Sequence, residues 1–384
     1  MAKSIKNPNP KFVSLHSDVR LPRYDQTPTL SSWILKAAKK YGDKAAFVEA
    51  ATGRSIKYSE LEPLVRRFGA GLTVRGFKRG DVFALYTRNT IEWFCVFHGV
   101  MSIGGTVTTC NPIYTAGELH HQLEDSGATW LMTQTEFLDK SIQATATIPM
   151  KHGIILFDHN PGWPSFDDIV DNDGSLFPIV DVSPDDVAII PYSSGTSGVP
   201  KGVQLVHRSV MANLAQISHP EMNQIDSNDV LIGFLPFFHI YGMVIVCSLG
   251  ILHGASVIVM PVFGLELFLK YIQQYKVTIA HVVPPIVLLL AKDPLVDKYD
   301  LSSLRELLCG AAPLGVELAE RVVKRIGIKS LRQGYGMTEL GTVCHLTPVG
   351  IPEYGAAGRL VPNTEMLIVD TETNQPLGVD KPGE

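Results

Sequence analysis

Short apolar runs alternate along the chain with longer segments in which apolar residues recur every three or four positions. This alternation predicts strands at 82–86, 106–109 and 129–133, with amphipathic helices between them. Residues 59–62 and 115–118 both have the spacing of a capping box, which predicts that helices begin there. The pattern therefore predicts βαβ units and a parallel sheet covered by helices.

A second alternating stretch follows an Asp-, Pro- and Gly-rich connection at 158–186. Its predicted strands are at 230–235, 255–260, 278–282 and 306–309. Short strands and turns replace the alternation after residue 341. The predicted fold class is α/β, with two helix-covered α/β lobes in residues 1–340 and the start of a small, incomplete β-subdomain at 341–384.

Composition limits the classes of function. The chain has 384 residues, 45% of them hydrophobic, and a formal net charge of −5. It can bury a sizeable core, which excludes intrinsic disorder, and its mild negative charge argues against a nucleic-acid partner. Five dispersed cysteines without a CxxC pair indicate an intracellular, reducing compartment. The most apolar window, 242–264, is interrupted by glycine, histidine and proline, so we interpret it as a buried helix and strand, not a transmembrane segment.

The segment 192–202 contains most of the recognisable chemistry. It follows a predicted buried strand and combines five hydroxyl side chains, four of them Ser or Thr, with three glycines and Lys201. Glycines allow the backbone N–H groups to approach a ligand closely, hydroxyls add donors, and the lysine adds a positive charge, so the segment suits a polyphosphate. It is not a Walker A loop, because Pro200 stands where that motif has its second glycine and Gly202 follows the lysine.

The segment 193–203 closely resembles the AMP-binding signature of the adenylate-forming superfamily. Three further segments match that superfamily in the expected order, at 235–242, 309–315 and 333–339, and the segment 358–363 also fits. The Gln-Gly-Tyr-Gly sequence at 333–336 is similar to the branch of 4-coumarate–CoA ligases, acyl-CoA synthetases and insect luciferases. The resemblance implies the large N-terminal domain of the adenylate-forming fold.

The reaction that this resemblance implies joins a carboxylic acid to ATP, giving an acyl-adenylate and pyrophosphate, and then forms a thioester with coenzyme A. Thr338 would contact the α-phosphate, Glu339 would bind Mg²⁺, and Tyr335 would stack on adenine. The residues implied to bind ATP are Ser193, Ser194, Gly195, Thr196, Ser197, Gly198, Lys201, Gly310, Ala311, Ala312, Gln333, Gly334, Tyr335, Gly336 and Thr338. Those implied in catalysis are His239, Lys201, Thr338 and Glu339.

A histidine in an apolar segment is usually a core residue, but the resemblance implies that His239 orients the carboxylate. The implied acyl pocket consists of His239, Ile240, Tyr241, Val244, Leu308, Gly334 and Val343. Val244 and Leu308 stand where 4-coumarate–CoA ligases have Asn and Lys, so two polar pocket positions are apolar here. Because such a site discriminates poorly for hydroxyl groups, we expect a hydrophobic aliphatic or plain aromatic acid rather than 4-hydroxycinnamate.

Two alternatives stay open. One is a luciferase-like oxygenase, although residues 217–221 have no counterpart of the arginine found in luciferases. The other is a non-catalytic nucleotide- or acyl-binding protein. The family's C-terminal lid domain, with its catalytic lysine, cannot be placed in the sequence, so we expect a truncated chain with severely reduced adenylation and essentially no CoA ligation. The resemblance allows a cytoplasmic or a peroxisomal location.

Overall fold

The computed structural model describes residues 11–17, 19–150, 153–193 and 200–384. Its strands are β1 Phe12–Val13, β2 Ala45–Glu49, β3 Ser55–Lys57, β4 Val82–Tyr86, β5 Thr106–Cys110, β6 Ala128–Thr133, β7 Ile154–Leu156, β8 Val187–Ser193, β9 Lys201–Gly202, β10 Leu205–Val206, β11 Val230–Gly233, β12 Ser256–Val259, β13 Ile279–Val282, β14 Glu306–Cys309, β15 Ser330–Tyr335, β16 His345–Leu346, β17 Arg359–Leu360 and β18 Glu365–Met366. Its α-helices are α1 Leu30–Ala38, α2 Tyr58–Val74, α3 Trp93–Ser102, α4 Ala116–Ser126, α5 Leu138–Thr145, α6 Phe166–Val170, α7 His207–Ile217, α8 Gly250–Leu252, α9 Leu265–Tyr275, α10 Pro284–Lys292 and α11 Val316–Ile326, and a π-helix covers Tyr241–Leu249.

The first sheet has the strand order β10-β8-β5-β4-β6-β7, with β9 paired to β8. Its central pairs β4–β5, β4–β6, β5–β8 and β6–β7 are parallel, while β9 and β10 are antiparallel to β8. Strands β4 to β6 confirm the first predicted alternation. The parallel centre places the carboxyl ends of β5 and β8 at one edge of the sheet.

The second sheet has the order β17-β16-β15-β14-β13-β11-β12-β2-β3. Strands β11 to β14 confirm the second predicted alternation, and β11 to β15 are parallel to one another. The early strand β2 joins this sheet beside β12, and β16 and β17 extend its other edge. The two helix-covered α/β lobes are confirmed, but the chain enters the second lobe before it builds the first. The division at residues 340 and 341 stays a prediction.

Local signals at the helix ends give one confirmation and one correction. Thr115 caps α4, and its side chain accepts a hydrogen bond from the N–H of Glu118, as the capping box predicts. The helix ends at Gly127 in the left-handed region, at φ 68°. The capping box predicted at 59–62 is wrong, because α2 begins at Tyr58 and the carboxylate of Glu60 accepts from the N–H of Lys57.

One core joins the two lobes. It contains buried residues of both sheets, such as Phe83 of β4 and Leu231 of β11, together with α1, α3 and the π-helix. The window 242–264 forms the π-helix, α8 and β12, which confirms the predicted buried helix and strand. No helix in the described part of the chain is long and apolar enough to cross a membrane.

Three buried histidines and the half-buried His253 make the stability of the fold depend on pH. Burial lowers the pKa of His98 and His281 to about 3 and that of His207 and His253 to about 4. Below their ordinary pKa of about 6.5, the unfolded chain takes up protons that the folded chain cannot. The free energy of unfolding is therefore highest above pH 6.5 and falls as the pH drops toward 4, by roughly 1.4 kcal/mol per pH unit for each histidine.

Urea denaturation at pH 7 and pH 5 measures this effect, and we expect a clearly lower midpoint at pH 5. A matched variant, His253→Gln, can keep a hydrogen bond to Ser218, which lies 2.9 Å from the His253 ring. It removes one titrating group, so unfolding should take up about one proton fewer at pH 5. The slope of the unfolding free energy against pH should be smaller to the same extent. Equal midpoints at the two pH values would contradict the account.

Candidate active site

The carboxyl ends of strands from both sheets surround one cavity of about 660 Å³. In open α/β sheets, ligands bind at such strand ends. The turn Gly310–Ala311 follows β14 and the segment 336–339 follows β15. The cavity walls are formed by Thr109, Asn111, Tyr114, Tyr192, Ser193, Pro200, Ile217, Met222, Asn223, Ile225, Phe238, His239, Ile240, Tyr241, Ile245, Leu249, His281, Glu306, Leu308, Gly310, Ala311, Arg332, Gly334, Tyr335, Gly336, Met337, Thr338, Glu339, Thr342, Val343 and Leu346.

A tight turn between β11 and the π-helix places His239 in the cavity wall. The N–H of His239 donates to the carbonyl of Pro236 at 3.1 Å, and its carbonyl accepts from the N–H of Met243 at 3.0 Å. A Cβ on Gly242 would lie 2.2 Å from the Pro236 carbonyl oxygen, so only glycine permits this approach. The hydroxyl of Thr109, at the end of β5, donates to the Phe238 carbonyl at 2.7 Å and ties the turn to the first sheet.

The imidazole of His239 is held in one neutral form. Its Nδ1 accepts a hydrogen bond from the N–H of Tyr241 at 3.2 Å, so the ring proton lies on Nε2. Desolvation by the surrounding protein lowers the pKa of His239, which favours the uncharged ring at neutral pH. His239 can therefore donate one hydrogen bond from Nε2 to an oxygen in the cavity.

The segment after β15 forms another part of the wall. Tyr335 is 51% exposed and contacts the ring of His345, with 5.9 Å between ring centroids. A Cβ on Gly336 would lie 1.6 Å from the carbonyl oxygen of Thr342, so the backbone passes where no other side chain fits. Thr338 is buried and Glu339 is exposed, both in a short 3₁₀ turn. The segment thus presents an aromatic ring, a hydroxyl and a carboxylate to one space.

Most of the site residues named from the sequence meet at this cavity. The lining members of that set are Ser193, His239, Ile240, Tyr241, Leu308, Gly310, Ala311, Gly334, Tyr335, Gly336, Thr338, Glu339 and Val343. Five further predicted residues, Ser194, Gly195, Thr196, Ser197 and Gly198, lie outside the described residues. The functional roles of all these residues stay predictions.

Four of the predicted residues do not line the cavity. Val244 is 1% exposed and packs in the core, because the π-helix turns Tyr241 and Ile245 toward the cavity instead. The Gln333 side chain accepts from the N–H of Leu314 at 3.1 Å and so holds a loop. Ala312 is exposed beyond the turn. Lys201 is exposed on β9, opposite Ser193.

Sequence reasoning missed three ionisable residues of the cavity wall, His281, Glu306 and Arg332. They lie on β13, β14 and β15, strands that are otherwise largely apolar. Strands at the centre of a parallel sheet normally consist of apolar residues. A charged residue within such a strand was therefore the signal that could have identified them.

Tyr241 forms one wall of the cavity, and its hydroxyl donates to the Leu308 carbonyl at 2.9 Å. Its ring lies beside Gly310, where an added Cβ would come within 3.1 Å. Tyr241→Phe removes the hydrogen bond and leaves a carbonyl without its partner. We expect a loss of about 1 kcal/mol in the free energy of unfolding and a several-fold weaker binding of the ligand beside this ring.

Urea denaturation and calorimetric titration with the ligand measure the two effects. Tyr271→Phe serves as the control variant, because Tyr271 of α9 is buried in a separate hydrophobic cluster with Phe268 and Ile272 and lies outside the cavity wall. If Tyr241→Phe and Tyr271→Phe weaken binding equally, the wall role of Tyr241 is contradicted.

The helix-covered sheets and the cavity at their strand ends define an α/β protein of two lobes, with a cavity large enough for a small ligand at the strand ends. Residues 34–384 match the family described as AMP-binding enzyme. The chain is 39% identical to 4-coumarate–CoA ligase 1 of Petroselinum crispum in an alignment 382 residues long, which covers 97% of this chain and 69% of that protein. The chain belongs to the AMP-binding enzyme family.

Solved structures agree with this assignment. A red-emitting luciferase from Phrixothrix hirtus matches with a TM-score of 0.82 and 27% identity, covering 96% of this chain and 69% of the luciferase. A long-chain-fatty-acid–CoA ligase from Archaeoglobus fulgidus matches with a TM-score of 0.86 and 25% identity, covering 95% of this chain and 75% of that ligase. The fold is that of the N-terminal part of adenylate-forming enzymes.

Proposed function

We propose that the protein is an AMP-forming acid–CoA ligase, which converts a carboxylic acid and ATP into an acyl-adenylate and pyrophosphate and transfers the acyl group to coenzyme A. One observation carries the proposal. A single cavity joins the Gly310–Ala311 turn, Tyr335, Thr338 and Glu339 to an apolar chamber beside His239. The names of the relatives and of one solved structure, 4-coumarate–CoA ligase and long-chain-fatty-acid–CoA ligase, support the same reaction.

The enzyme needs no nucleophile of its own, because the carboxylate of the acid attacks the α-phosphate. Its task is to position two anions and offset their repulsion. Tyr335 offers an exposed ring for adenine, and Thr338 offers a hydroxyl for the α-phosphate. The Nε2–H of His239 donates to the carboxylate, since Nδ1 is already occupied by the N–H of Tyr241.

Glu339 suits a magnesium ion that arrives with ATP. Mg²⁺ is usually held by one or two carboxylates together with substrate phosphates, so one exposed carboxylate at the cavity fits. The described residues contain no cluster of three or more His, Cys, Asp or Glu side chains that could hold a metal by themselves. When bound, the ion would neutralise phosphate charge. The residues of the chain position the acid and the nucleotide.

The acid has a hydrophobic body, aliphatic or aromatic. Beyond His239 the cavity wall is largely apolar, with Ile240, Ile245, Leu249 and Leu346 as well as Leu308. The sequence predicted apolar residues at two positions of the acyl pocket. Leu308 lines the cavity and supports this prediction, whereas Val244 does not, because it lies in the core. Apolar contact therefore favours longer acids over acetate, by about 0.8 kcal/mol for each buried methylene.

Acid-dependent exchange of labelled pyrophosphate into ATP tests the proposal, because this assay detects slow adenylation. The panel contains acetate, octanoate and cinnamate, each with and without Mg²⁺. We expect exchange with octanoate or cinnamate and little with acetate, and release of AMP rather than ADP once coenzyme A has taken up the acyl group. Acyl-CoA formation is then measured by mass spectrometry after coenzyme A is added. Exchange that does not depend on the acid, or ADP as the product, would refute the ligase.

A further inference from the structure

Three buried ionisable side chains share one face of the second sheet. In the register of β13, β14 and β15, His281 lies opposite Leu308 and Leu308 lies opposite Arg332, while Glu306 lies two residues earlier on β14. Residues two apart on a strand point to the same face. His281 and Glu306 are 1% exposed, Arg332 is 2% exposed, and all three line the cavity.

Hydrogen bonds within this cluster are unevenly distributed. The Arg332 Nε and Nη2 atoms donate to Oε1 of Glu306 at 3.1 and 2.8 Å, and Nη1 donates to the carbonyls of Met222 and Thr347. Among the described residues, Oε2 of Glu306 and Nδ1 of His281 have no partner. Both residues line the cavity, so these two atoms are free to form hydrogen bonds with a ligand there.

The cluster lies at the end of the cavity away from the nucleotide turns. Glu306 precedes Gly310 by four residues, which is roughly 13 Å along a strand. Exposure decreases in the same direction, from 51% at Tyr335 to 1% at Glu306. An acid whose carboxylate lies near His239 would therefore place its far end in this cluster.

The charges of the cluster balance without a ligand. Arg332 and Glu306 form an ion pair with 2.8 Å between Nη2 and Oε1. Burial and the neighbouring Arg332 charge lower the pKa of His281 to about 3, so its ring is neutral. A charged group added here would be buried without a counter-charge, which is unfavourable. A neutral hydroxyl can donate to one atom and accept from another, and therefore suits a free carboxylate oxygen and a neutral imidazole.

We propose that His281 and Glu306 are specificity-determining residues that recognise an uncharged hydroxyl group at the far end of the acid. The hydroxyl donates to Oε2 of Glu306 and exchanges a second hydrogen bond with the His281 ring. This inference rests on the proposed function, since it names the acid that the ligase prefers. It corrects the expectation of a pocket without partners for hydroxyl groups, which rested on Val244 and Leu308 and overlooked the three strand residues.

Matched acids that differ only at the far end test the inference. They are octanoate, 8-hydroxyoctanoate and octanedioate, with cinnamate and 4-hydroxycinnamate as a second pair. Equilibrium binding is measured by calorimetry without ATP, and kcat/KM is measured by pyrophosphate exchange. We expect the hydroxylated acid of a pair to be preferred by about 10- to 100-fold over its plain counterpart, and octanedioate to be the poorest ligand.

The variant His281→Leu should lower this preference about ten-fold, mainly by loss for the hydroxylated acid. It should still fold, because it replaces an unpaired buried polar group with an apolar one of similar size. His281→Gln, which keeps a donor and an acceptor, should retain part of the preference. Ile245→Val is the control, because it changes the cavity wall without polar atoms and should affect both members of a pair alike.

The results of these experiments distinguish failure of hydroxyl recognition by His281 and Glu306 from failure of the proposed ligase activity. Exchange activity without a preference for hydroxylated acids, or with octanedioate preferred, would overturn the inference and leave the ligase standing. A hydroxyl preference in binding that His281→Leu reduces, without any exchange activity, would support the inference and refute the ligase. Absence of binding by every acid would overturn the inference.

Discussion

Replacing Glu339 with glutamine should lower the rate of acid-dependent pyrophosphate exchange by about 100-fold or more without changing the denaturation midpoint. Glu339 is exposed at the cavity, and glutamine has nearly the same size and shape. The substitution removes a negative charge and a hard oxygen ligand, which weakens the hold on the magnesium that accompanies ATP. It changes little in the packing of the fold, since the side chain is not buried.

Exchange rates measured over a range of Mg²⁺ concentrations check this prediction. We expect Glu339→Gln to require more Mg²⁺ for half-maximal exchange. Glu317→Gln is the matched control, because Glu317 is also exposed but lies in the first turn of α11, outside the cavity wall. An unchanged rate for Glu339→Gln at low Mg²⁺ would contradict the assigned role.

Replacing Arg332 with leucine should cause the largest loss of stability, about 3–5 kcal/mol in the free energy of unfolding. The guanidinium donates four hydrogen bonds, two of them to the buried carboxylate of Glu306. Without Arg332, Glu306 keeps a charge in the interior with no partner, and the carbonyls of Met222 and Thr347 lose their donor. The buried carboxylate accounts for most of the expected loss.

Urea denaturation compares this variant with two others. Lys276→Met removes one partner of an exposed ion pair with Asp300 and should cost less than about 1 kcal/mol. The double variant Glu306→Leu with Arg332→Leu removes both charges, so it should be more stable than Arg332→Leu alone. If the single and double variants are equally stable, the unpaired carboxylate of Glu306 does not explain the loss of unfolding free energy in Arg332→Leu.

Several elements of the fold could be predicted because their determinants are local. The alternation of apolar runs and amphipathic helices identified both lobes, and the Thr115 and Gly127 signals located the ends of α4. The position of β2 in the second sheet could not be predicted in this way. Its pairing with β12 joins residues about two hundred positions apart, and nothing in the short-range pattern specifies that contact.

In the candidate site, too, features with local determinants could be predicted and features set by tertiary packing could not. Motif resemblance identified the turns at Gly310 and Tyr335, which the structure brings to one cavity. The position of Val244 depended on the π-helix, whose wider turn changes which residues face the cavity. The His281 and Glu306 cluster depends on the register of three parallel strands. Such a register is set by tertiary packing, so a single sequence does not reveal it.

The proposed ligase reaction requires one cavity to hold the adenosine and the acyl group at the same time. A non-hydrolysable acyl-adenylate analogue, octanoyl sulfamoyl adenosine, tests it directly by calorimetric titration of the 384-residue chain. We predict that the analogue binds at least about 100-fold more tightly than AMP or octanoate alone, because the binding free energies of two ligands add when they are linked across adjacent subsites. Binding of the analogue no tighter than that of AMP would contradict the account.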